Sequence, residues 1–185
     1  AERNCAIAGS VAVCENGNYY NRFYFVHPDG AVQHYDKKHL FTFGGEHKRF
    51  TAGTERVVVN FRGVRILLEV CYDLRFPVWA RNLGDYDMIL YVASWPTPRV
   101  DAWSALLRAR AIENQCYVAG VNRMGVDPAC EYSGGSAIID PYGKTIAECP
   151  WSRESAVSAD IDMEALQAFR KKFPVLDDAD PFTLI

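Results

Sequence analysis

A cysteine and a lysine each follow a predicted strand, and together they could carry out nucleophilic catalysis. The apolar run Val64–Val70 leads straight into Cys71, and a short helix is expected from Pro77. Open α/β sheets bind their ligands at the carboxyl ends of such strands. A sharp turn there would leave the backbone N–H of Tyr72 unpaired, so one turn could supply a nucleophile and an oxyanion donor. An isolated cysteine is more often a core residue, and the case for Cys71 therefore depends on its neighbours.

The lysine is Lys37, which follows a predicted strand over residues 31–35. Its ammonium could project toward Cys71, lower the pKa of the thiol and neutralise a tetrahedral oxyanion. Glu46 follows in a Gly-Gly-Glu-His run and could hold the lysine in place. Alternatively, Lys37 and Lys38 are a solvated pair on a loop and Glu46 is one more surface acid. The combination with Cys71 favours the catalytic interpretation.

A framework of strands and helices must bring these residues together. Strands are expected over residues 5–13, 20–26, 31–35, 57–61, Val64–Val70, 88–92, 117–121, 136–139, 145–147 and 156–161. Helices are expected to start at Pro77 and to cover residues 102–115 and Met163–Lys172. Strands that alternate with helices after residue 64 favour an α/β fold, and the hairpins before and after favour mixed sheets. We find no linker or internal repeat, so residues 1–185 are expected to form one domain.

Composition restricts the function further. The chain has 185 residues, of which 49% are apolar and 23% charged, as is usual for globular proteins. The net charge is −3 and the 20 Lys and Arg are scattered, which argues against a nucleic-acid partner. No apolar run approaches the roughly 20 residues that span a bilayer, and the first ten residues lack the layout of a signal peptide, so we expect a soluble cytoplasmic protein without a membrane partner. The six cysteines form no CxxC pair, and neither a metal nor another cofactor is expected.

Several motifs, taken in order, resemble the carbon–nitrogen hydrolases of the nitrilase superfamily. They are Lys37-x-His39-Leu40-Phe41, then Glu46, the run from Cys71 to Pro77, residues 108–115, Tyr117-Val118-Ala119, and Asp140-Pro141-x-Gly143. The set covers essentially the whole chain, and its order is specific although each motif alone is weak. Residues 73–77, residues 91–98 and Phe173-Pro174 look closest to the omega-amidase branch. Enzymes of that branch hydrolyse the side-chain amide of small dicarboxylate monoamides such as 2-oxoglutaramate.

The resemblance implies a four-layer α-β-β-α sandwich with mixed sheets and a Glu–Lys–Cys triad. Cys71 would attack the amide carbonyl, while Lys37 and one backbone N–H hold the oxyanion. A glutamate would take the thiol proton and later activate the water that hydrolyses the thioester. Glu46 matches a supporting second glutamate of many members. We also expect a homodimer or larger homo-oligomer.

The general-base glutamate of that triad has no clear counterpart in this sequence. In the family it belongs to an early Pro-Glu motif, and no Pro-Glu occurs here. We therefore expect that a strand–helix–strand segment carrying it precedes residue 1, and that residues 1–185 alone are inactive. Glu69 has the same strand parity as Cys71 but lies further back along the strand. Glu113 is expected to anchor its helix through a neighbouring arginine, and neither is expected to be the base.

Three other functions compete with this one. A papain-like peptidase would need a histidine base, but all four histidines precede Cys71 and no helix-start cysteine signature accompanies them. A catalytically incomplete member or fragment, acting only through association, would explain the missing glutamate but not the intact pair of Lys37 and Cys71. An acyl-transferring relative would use the same site and stays open.

Substrate selection would require a cation, because a dicarboxylate monoamide has a free carboxylate and arginine is the preferred partner. Arg75, Arg99 and Arg123 lie near predicted strand ends and are the candidates. Each could instead form an ordinary surface or structural ion pair. Trp95 follows the strand that ends near residue 93 and is expected to form part of the pocket wall.

Overall fold

The computed structural model describes residues 2–183. The strands among them are β1 Ile7–Glu15, β2 Asn18–Val26, β3 Val32–Asp36, β4 Val58–Phe61, β5 Val64–Val70, β6 Met88–Ala93, β7 Tyr117–Asn122, β8 Met124–Val126, β9 Glu131–Ser133, β10 Ala137–Ile139 and β11 Thr145–Glu148. The α-helices are α1 Pro77–Ala80, α2 Val100–Glu113 and α3 Met163–Lys172. Short 3₁₀ turns cover Thr42–Gly44, Glu46–Lys48, Cys71–Arg75, Thr97–Arg99 and Val175–Asp178.

A mixed six-stranded sheet forms the centre of the fold. Its strand order is β11-β10-β7-β6-β5-β4, in which β5, β6 and β7 run parallel and the outer strands antiparallel. The parallel strands end in register, since Val70 pairs with Val92 and Val92 with Val121. The residues that follow these three strands therefore meet at one edge of the sheet.

A second, antiparallel sheet has the order β1-β2-β3. The turn between β1 and β2 consists of Asn16 and Gly17, whose φ angles are 52° and 79°. Positive φ at both central residues matches the right-handed twist of the flanking strands, which is why an Asn-Gly pair favours a hairpin. The local sequence thus determines this hairpin.

The two faces of the six-stranded sheet are buried by different partners. On one face, alternate residues of β5, β6 and β7 pack against Trp103, Leu107 and Ala111 of α2. On the other face, the remaining alternate residues pack against Phe23, Phe25 and Tyr35 of the three-stranded sheet. Burying each such large apolar side chain contributes about 1.5–3 kcal/mol. Both faces are apolar, as expected for strands covered on both sides.

Gly120 in β7 allows α2 to approach this sheet closely. A Cβ atom at this position would lie 2.5 Å from a methyl carbon of Leu107 and 2.8 Å from the ring of Trp103. Atoms cannot approach so closely, so a side chain here would force Leu107 and Trp103 of α2 to move.

The α/β class with mixed sheets is confirmed. Residues 2–183 form a helix layer, the six-stranded sheet and the three-stranded sheet, in that order. On the outward face of the last sheet, Ile7, Val11 and Val32 expose 70%, 54% and 53% of their surface. A helix layer over that face is not found within the described part of the chain. In that same part, no helix combines the length and apolar character needed to cross a bilayer.

One predicted strand is wrong and one hairpin was missed. Residues 156–161 form no ladder, because β11, the outermost strand, pairs only with β10 among the described residues. Of their alternating apolar residues, Val157 is exposed, and Ala159 and Ile161 are half-buried. The hairpin of β8 and β9 was not predicted, since strands of three residues are too short for a period-two pattern. The other predicted strands and the two longer helices agree with the structure to within two residues at each end.

Candidate active site

A cavity of about 500 Å³ opens at the carboxyl ends of β5, β6 and β7. Every residue that the sequence suggested for catalysis or binding contributes to its wall, namely Cys71, Lys37, Glu46, Tyr72, Trp95, Arg75, Arg99 and Arg123. Ligand sites of soluble proteins are commonly cavities of this size with a few polar groups. The predicted residues thus meet in one place, although they lie in four loops that follow strands of both sheets.

Cys71 is held in a strained turn at the end of β5. Its φ is +49°, and it begins the 3₁₀ turn Cys71–Arg75. A non-glycine residue in this region costs on the order of 1–3 kcal/mol and persists only where its surroundings enforce it. The half-buried thiol lies 3.9 Å from the carbonyl oxygen of Ser94. Because Tyr72 lies in the first turn of this short helix, its N–H has no acceptor within the helix.

Burial and neighbouring charges shift the pKa of the Cys71 thiol in opposite directions. Burial raises the pKa of Cys71, and the charge of Lys37 lowers it. The negative charges of Glu46 and Asp73 raise this pKa again, and the pKa ends above its ordinary value. The thiol is thus protonated at neutral pH without substrate, and its attack on a carbonyl requires a base.

Lys37 is buried and fixed at both its backbone and its side chain. Its side chain is only 3% exposed, and its Nζ donates to Oε2 of Glu46 at 2.6 Å. Its backbone N–H donates to the carbonyl of Asn21 at 3.0 Å, and its carbonyl accepts from the N–H of Gly53 at 2.9 Å. A Cβ atom on Gly53 would lie 2.0 Å from the carbonyl oxygen of Asp36, so glycine is needed there. A buried ammonium requires such a paired environment.

Glu46 has both carboxylate oxygens occupied. Its Oε2 also accepts from the N–H of Phe41 at 2.6 Å, and its Oε1 accepts from the amide of Asn21 at 3.1 Å. Burial raises the pKa of Glu46, but the charge of Lys37 and these hydrogen bonds outweigh it and lower the pKa below its usual value. An ionised, fully engaged carboxylate is suited to hold the lysine rather than to carry protons.

Glu69 and Glu113, the two glutamates considered for the role of general base, lie away from the cavity. Glu69 is fully buried on the helix-facing side of β5, and neither of its oxygens has a hydrogen-bond partner in the described residues. Burial raises its pKa well above the ordinary value. Glu113 accepts from Arg110 at 2.7 Å at the end of α2. Within residues 2–183, Glu46 is the one carboxylate that lines the cavity.

Two arginines at the cavity are available to an anion. The guanidinium of Arg75 lies 4.9 Å from the ring centre of Trp95, and that of Arg99 lies 5.5 Å from the ring centre of Phe41. Neither forms an ion pair with a carboxylate of residues 2–183. Arg123, by contrast, lies 3.6 Å from the carboxylate of Asp127.

The wall of the cavity depends on Asn122, which the sequence did not suggest. Its side chain accepts from the N–H of Trp95 at 2.7 Å and donates to the carbonyl of Trp95 at 3.0 Å. It also donates to the carbonyl of Gly134 at 2.7 Å. Asn122 ends β7, so the strand-end argument used for Cys71 would have identified it.

Comparisons with known proteins agree with this geometry. Residues 1–171 match the model of the family described as carbon-nitrogen hydrolase. The chain is 53% identical over 182 residues to omega-amidase YafV of Escherichia coli (strain K12), covering 98% of this chain and 71% of that protein. It is 42% identical over 175 residues to 2-oxoglutaramate amidase of Bacillus subtilis (strain 168), covering 93% and 67%. Its fold matches the crystal structure of XC1258 from Xanthomonas campestris, a CN-hydrolase superfamily protein, with a TM-score of 0.95 and 47% identity over 98% of this chain and 71% of that one.

The chain therefore belongs to the carbon–nitrogen hydrolase family, and the resemblance drawn from its motifs is confirmed. It is an amidohydrolase. The expectation of a segment before residue 1 stays a prediction.

Proposed function

We propose that this protein hydrolyses the ω-amide of a small dicarboxylate monoamide, such as 2-oxoglutaramate, and releases ammonia. One observation carries the proposal: the cavity that holds Cys71 and the buried Lys37 also holds two arginines, Arg75 and Arg99, that pair with no carboxylate in residues 2–183. The site can thus receive an amide at one end and a free carboxylate at the other. The relatives named omega-amidase and 2-oxoglutaramate amidase support the same substrate class.

The first half of the reaction forms a thioester. The sulfur of Cys71 bonds to the amide carbon, and the carbonyl electron pair moves onto oxygen. Lys37 and the N–H of Tyr72 stabilise this oxyanion. The carbon–nitrogen bond then breaks, and the nitrogen leaves as ammonia with the proton that the thiol gave up through a general base.

The second half restores the enzyme. Water adds to the thioester carbon, the carbon–sulfur bond breaks, and the sulfur of Cys71 regains a proton. The net reaction consumes one water and yields one carboxylic acid and one ammonia. Glu46 supports Lys37 in both halves. The general base stays the glutamate that the family resemblance implies, and we assign no residue of 2–183 to that role.

The charge of the substrate provides the test of this proposal. We expect the protein containing this chain to turn over 2-oxoglutaramate with kcat/KM about 100-fold above that for pentanamide, which has the same chain length and no carboxylate. Charge-assisted hydrogen bonds contribute about 1.5–3 kcal/mol each, which supports a factor of this size. Ammonia release measures both rates. Equal values for the two amides would contradict a dicarboxylate substrate.

The arginines should act on binding rather than on chemistry. Arg75→Ala and Arg99→Ala should each raise KM for 2-oxoglutaramate by about tenfold or more while kcat changes little, because a contact present in both the ground state and the transition state affects KM alone. Arg123→Ala is the matched control and should leave KM within about twofold, since its charge already faces Asp127. A similar KM increase for pentanamide would instead indicate that the aromatic wall had lost packing.

We further propose a cytoplasmic location and a homodimer or larger assembly. The six cysteines are free thiols and Cys5 and Cys14 are exposed, which suits a reducing compartment. Ile7 and Val11 present apolar surface along β1, an edge strand, and such edges favour pairing with another chain.

A further inference from the structure

Asp73 has a fully buried carboxylate that accepts hydrogen bonds from residues close to Lys37 and from the residue before Cys71. Its Oδ2 accepts from the hydroxyl of Tyr35 at 2.8 Å and from the backbone N–H of Val70 at 3.0 Å. Its Oδ1 accepts from the backbone N–H of His39 at 2.9 Å, and Nδ1 of the same imidazole lies 2.8 Å away and donates when it carries a proton. A buried carboxylate that accepts from four donors holds those donors in fixed positions relative to one another.

The donors lie on both sides of Lys37 and directly before Cys71. Tyr35 and His39 lie two residues before and two residues after Lys37, and the hydroxyl of Tyr35 also accepts from the N–H of Lys38 at 3.0 Å. Val70 immediately precedes Cys71. Because Lys37 leaves the three-stranded sheet and Cys71 leaves the six-stranded sheet, the carboxylate joins the two sheets at the site.

We propose that Asp73 is a positioning residue that fixes the ammonium of Lys37 against the thiol of Cys71. It does not line the cavity, so we expect no contact between its carboxylate and the substrate. Its action passes through Tyr35 and His39 on one side and through Val70 on the other. The proposal rests on the proposed catalytic roles of Lys37 and Cys71.

The direction in which the thiol pKa changes distinguishes a positioning role of Asp73 from a purely electrostatic one. The charged groups that act on Cys71 are Lys37, which lowers its pKa, and Glu46 and Asp73, which raise it. If Asp73 acted only as a nearby negative charge, Asp73→Asn would lower the pKa of the thiol. If Asp73 positions Lys37, the same substitution weakens the contribution of the lysine, and the pKa of the thiol rises. The two roles predict opposite signs.

The experiment is the pH dependence of alkylation of Cys71 by iodoacetamide, followed at that one site by peptide mass spectrometry. In Asp73→Asn the amide has a single acceptor oxygen and turns its NH₂ group toward donors, so two of the four contacts are lost. We expect the apparent pKa of Cys71 to rise by about one unit, equivalent to tenfold less thiolate at neutral pH. The kcat for 2-oxoglutaramate should fall at least tenfold, with KM within about twofold, since the substrate contacts are unchanged.

A double-mutant cycle identifies the route of the effect. In a Lys37→Ala background, Asp73→Asn should no longer raise the pKa of Cys71 and should lower it slightly, because only the direct charge effect is left. Asp87→Asn is the matched control: Asp87 is 2% exposed, pairs with Arg65 and Arg170, and lies at the opposite end of the strands. It should reduce Tm without moving the thiol pKa. Tyr35→Phe removes one of the four donors and should move the thiol pKa in the same direction by less.

A fall or no change in the pKa of Cys71 in Asp73→Asn overturns the proposal, as does an equal rise in the Lys37→Ala background. If Asp73→Asn does not fold by circular dichroism, Tyr35→Phe decides by the same criterion. Alkylation needs no substrate, so the result stands apart from the proposed function. A shift in thiol pKa, together with turnover of another small amide but not of 2-oxoglutaramate, would support the positioning role and refute the substrate.

Discussion

Replacing Cys71 with alanine should lower kcat for ammonia release from 2-oxoglutaramate by about 10⁴-fold or more, since the covalent intermediate cannot form without the nucleophile. Among residues 2–183, Cys71 is the one cysteine in the cavity wall, so no second thiol can replace it. Binding of substrate should persist, because the arginines and the aromatic wall are untouched. Single-turnover ammonia release and equilibrium binding of 2-oxoglutaramate separate the two effects.

Cys130→Ala is the control for loss of a half-buried thiol outside the cavity, and it should retain full activity. A chloromethyl ketone that carries a carboxylate should label Cys71 ahead of the other five cysteines, as shown by intact mass and peptide mapping. Cys116 is fully buried and burial raises its pKa, so it should not react. Labelling of Cys116 or Cys130 first, with activity retained in Cys71→Ala, would end the assignment.

The placement of Cys71 and Trp95 could be predicted because it follows from strand ends alone. Three parallel strands end in register, so whatever follows them converges at one edge of the sheet. The same argument predicts the place of Lys37 less strongly, because Lys37 follows a strand of the other sheet. Its approach to Cys71 depends on how the two sheets pack, which strand periodicity does not specify.

Strand alternation does not predict correctly how the side chain of Glu69 is oriented relative to that of Cys71. Glu69 and Cys71 are two residues apart, so strand alternation predicts that their side chains lie on the same side of the strand. The φ of Cys71 is +49°, so the chain leaves strand geometry at the cysteine and the alternation stops there. Glu69 therefore points to the helix layer, whereas the thiol reaches the cavity.

The network that holds the lysine could not be predicted from the sequence. Asn21 lies within β2 and reaches Glu46 across 25 positions, and Asp73 reaches His39 across 34. Contacts between residues so distant in sequence follow from tertiary packing and leave no local pattern. The sequence identified the chemical groups, and the packing of two sheets determines their partners.

Lys37→Ala should reduce kcat by roughly a hundredfold or more, on the scale of losing one oxyanion donor from a preorganised site. A second effect acts in the same direction. Lys37 lowers the pKa of Cys71, so without it the pKa rises, less thiolate is present, and the rising limb of the pH–rate profile moves to higher pH. Glu46 loses the charge that lowers its own pKa, and that pKa should rise as well. Steady-state ammonia release across pH measures the loss of kcat and the shift of the pH–rate profile, with Tm as a check on folding.

Lys38→Ala supplies the matched control, since it removes the same charge one residue away. The ammonium of Lys38 lies 5.2 Å from the ring centre of Trp79, outside the cavity wall. Lys38 is half-buried over the buried ring of Trp79. A cation–π contact contributes about 0.5–2 kcal/mol, so this variant should lose some stability and keep kcat within about twofold. Equal losses from the two substitutions would mean that the loop's overall charge matters and the position of one ammonium does not. A hundredfold difference between adjacent lysines would show that Lys37 acts from its own position, on the oxyanion and on the thiol of Cys71, because the long-range electrostatic contribution of the two lysines is the same.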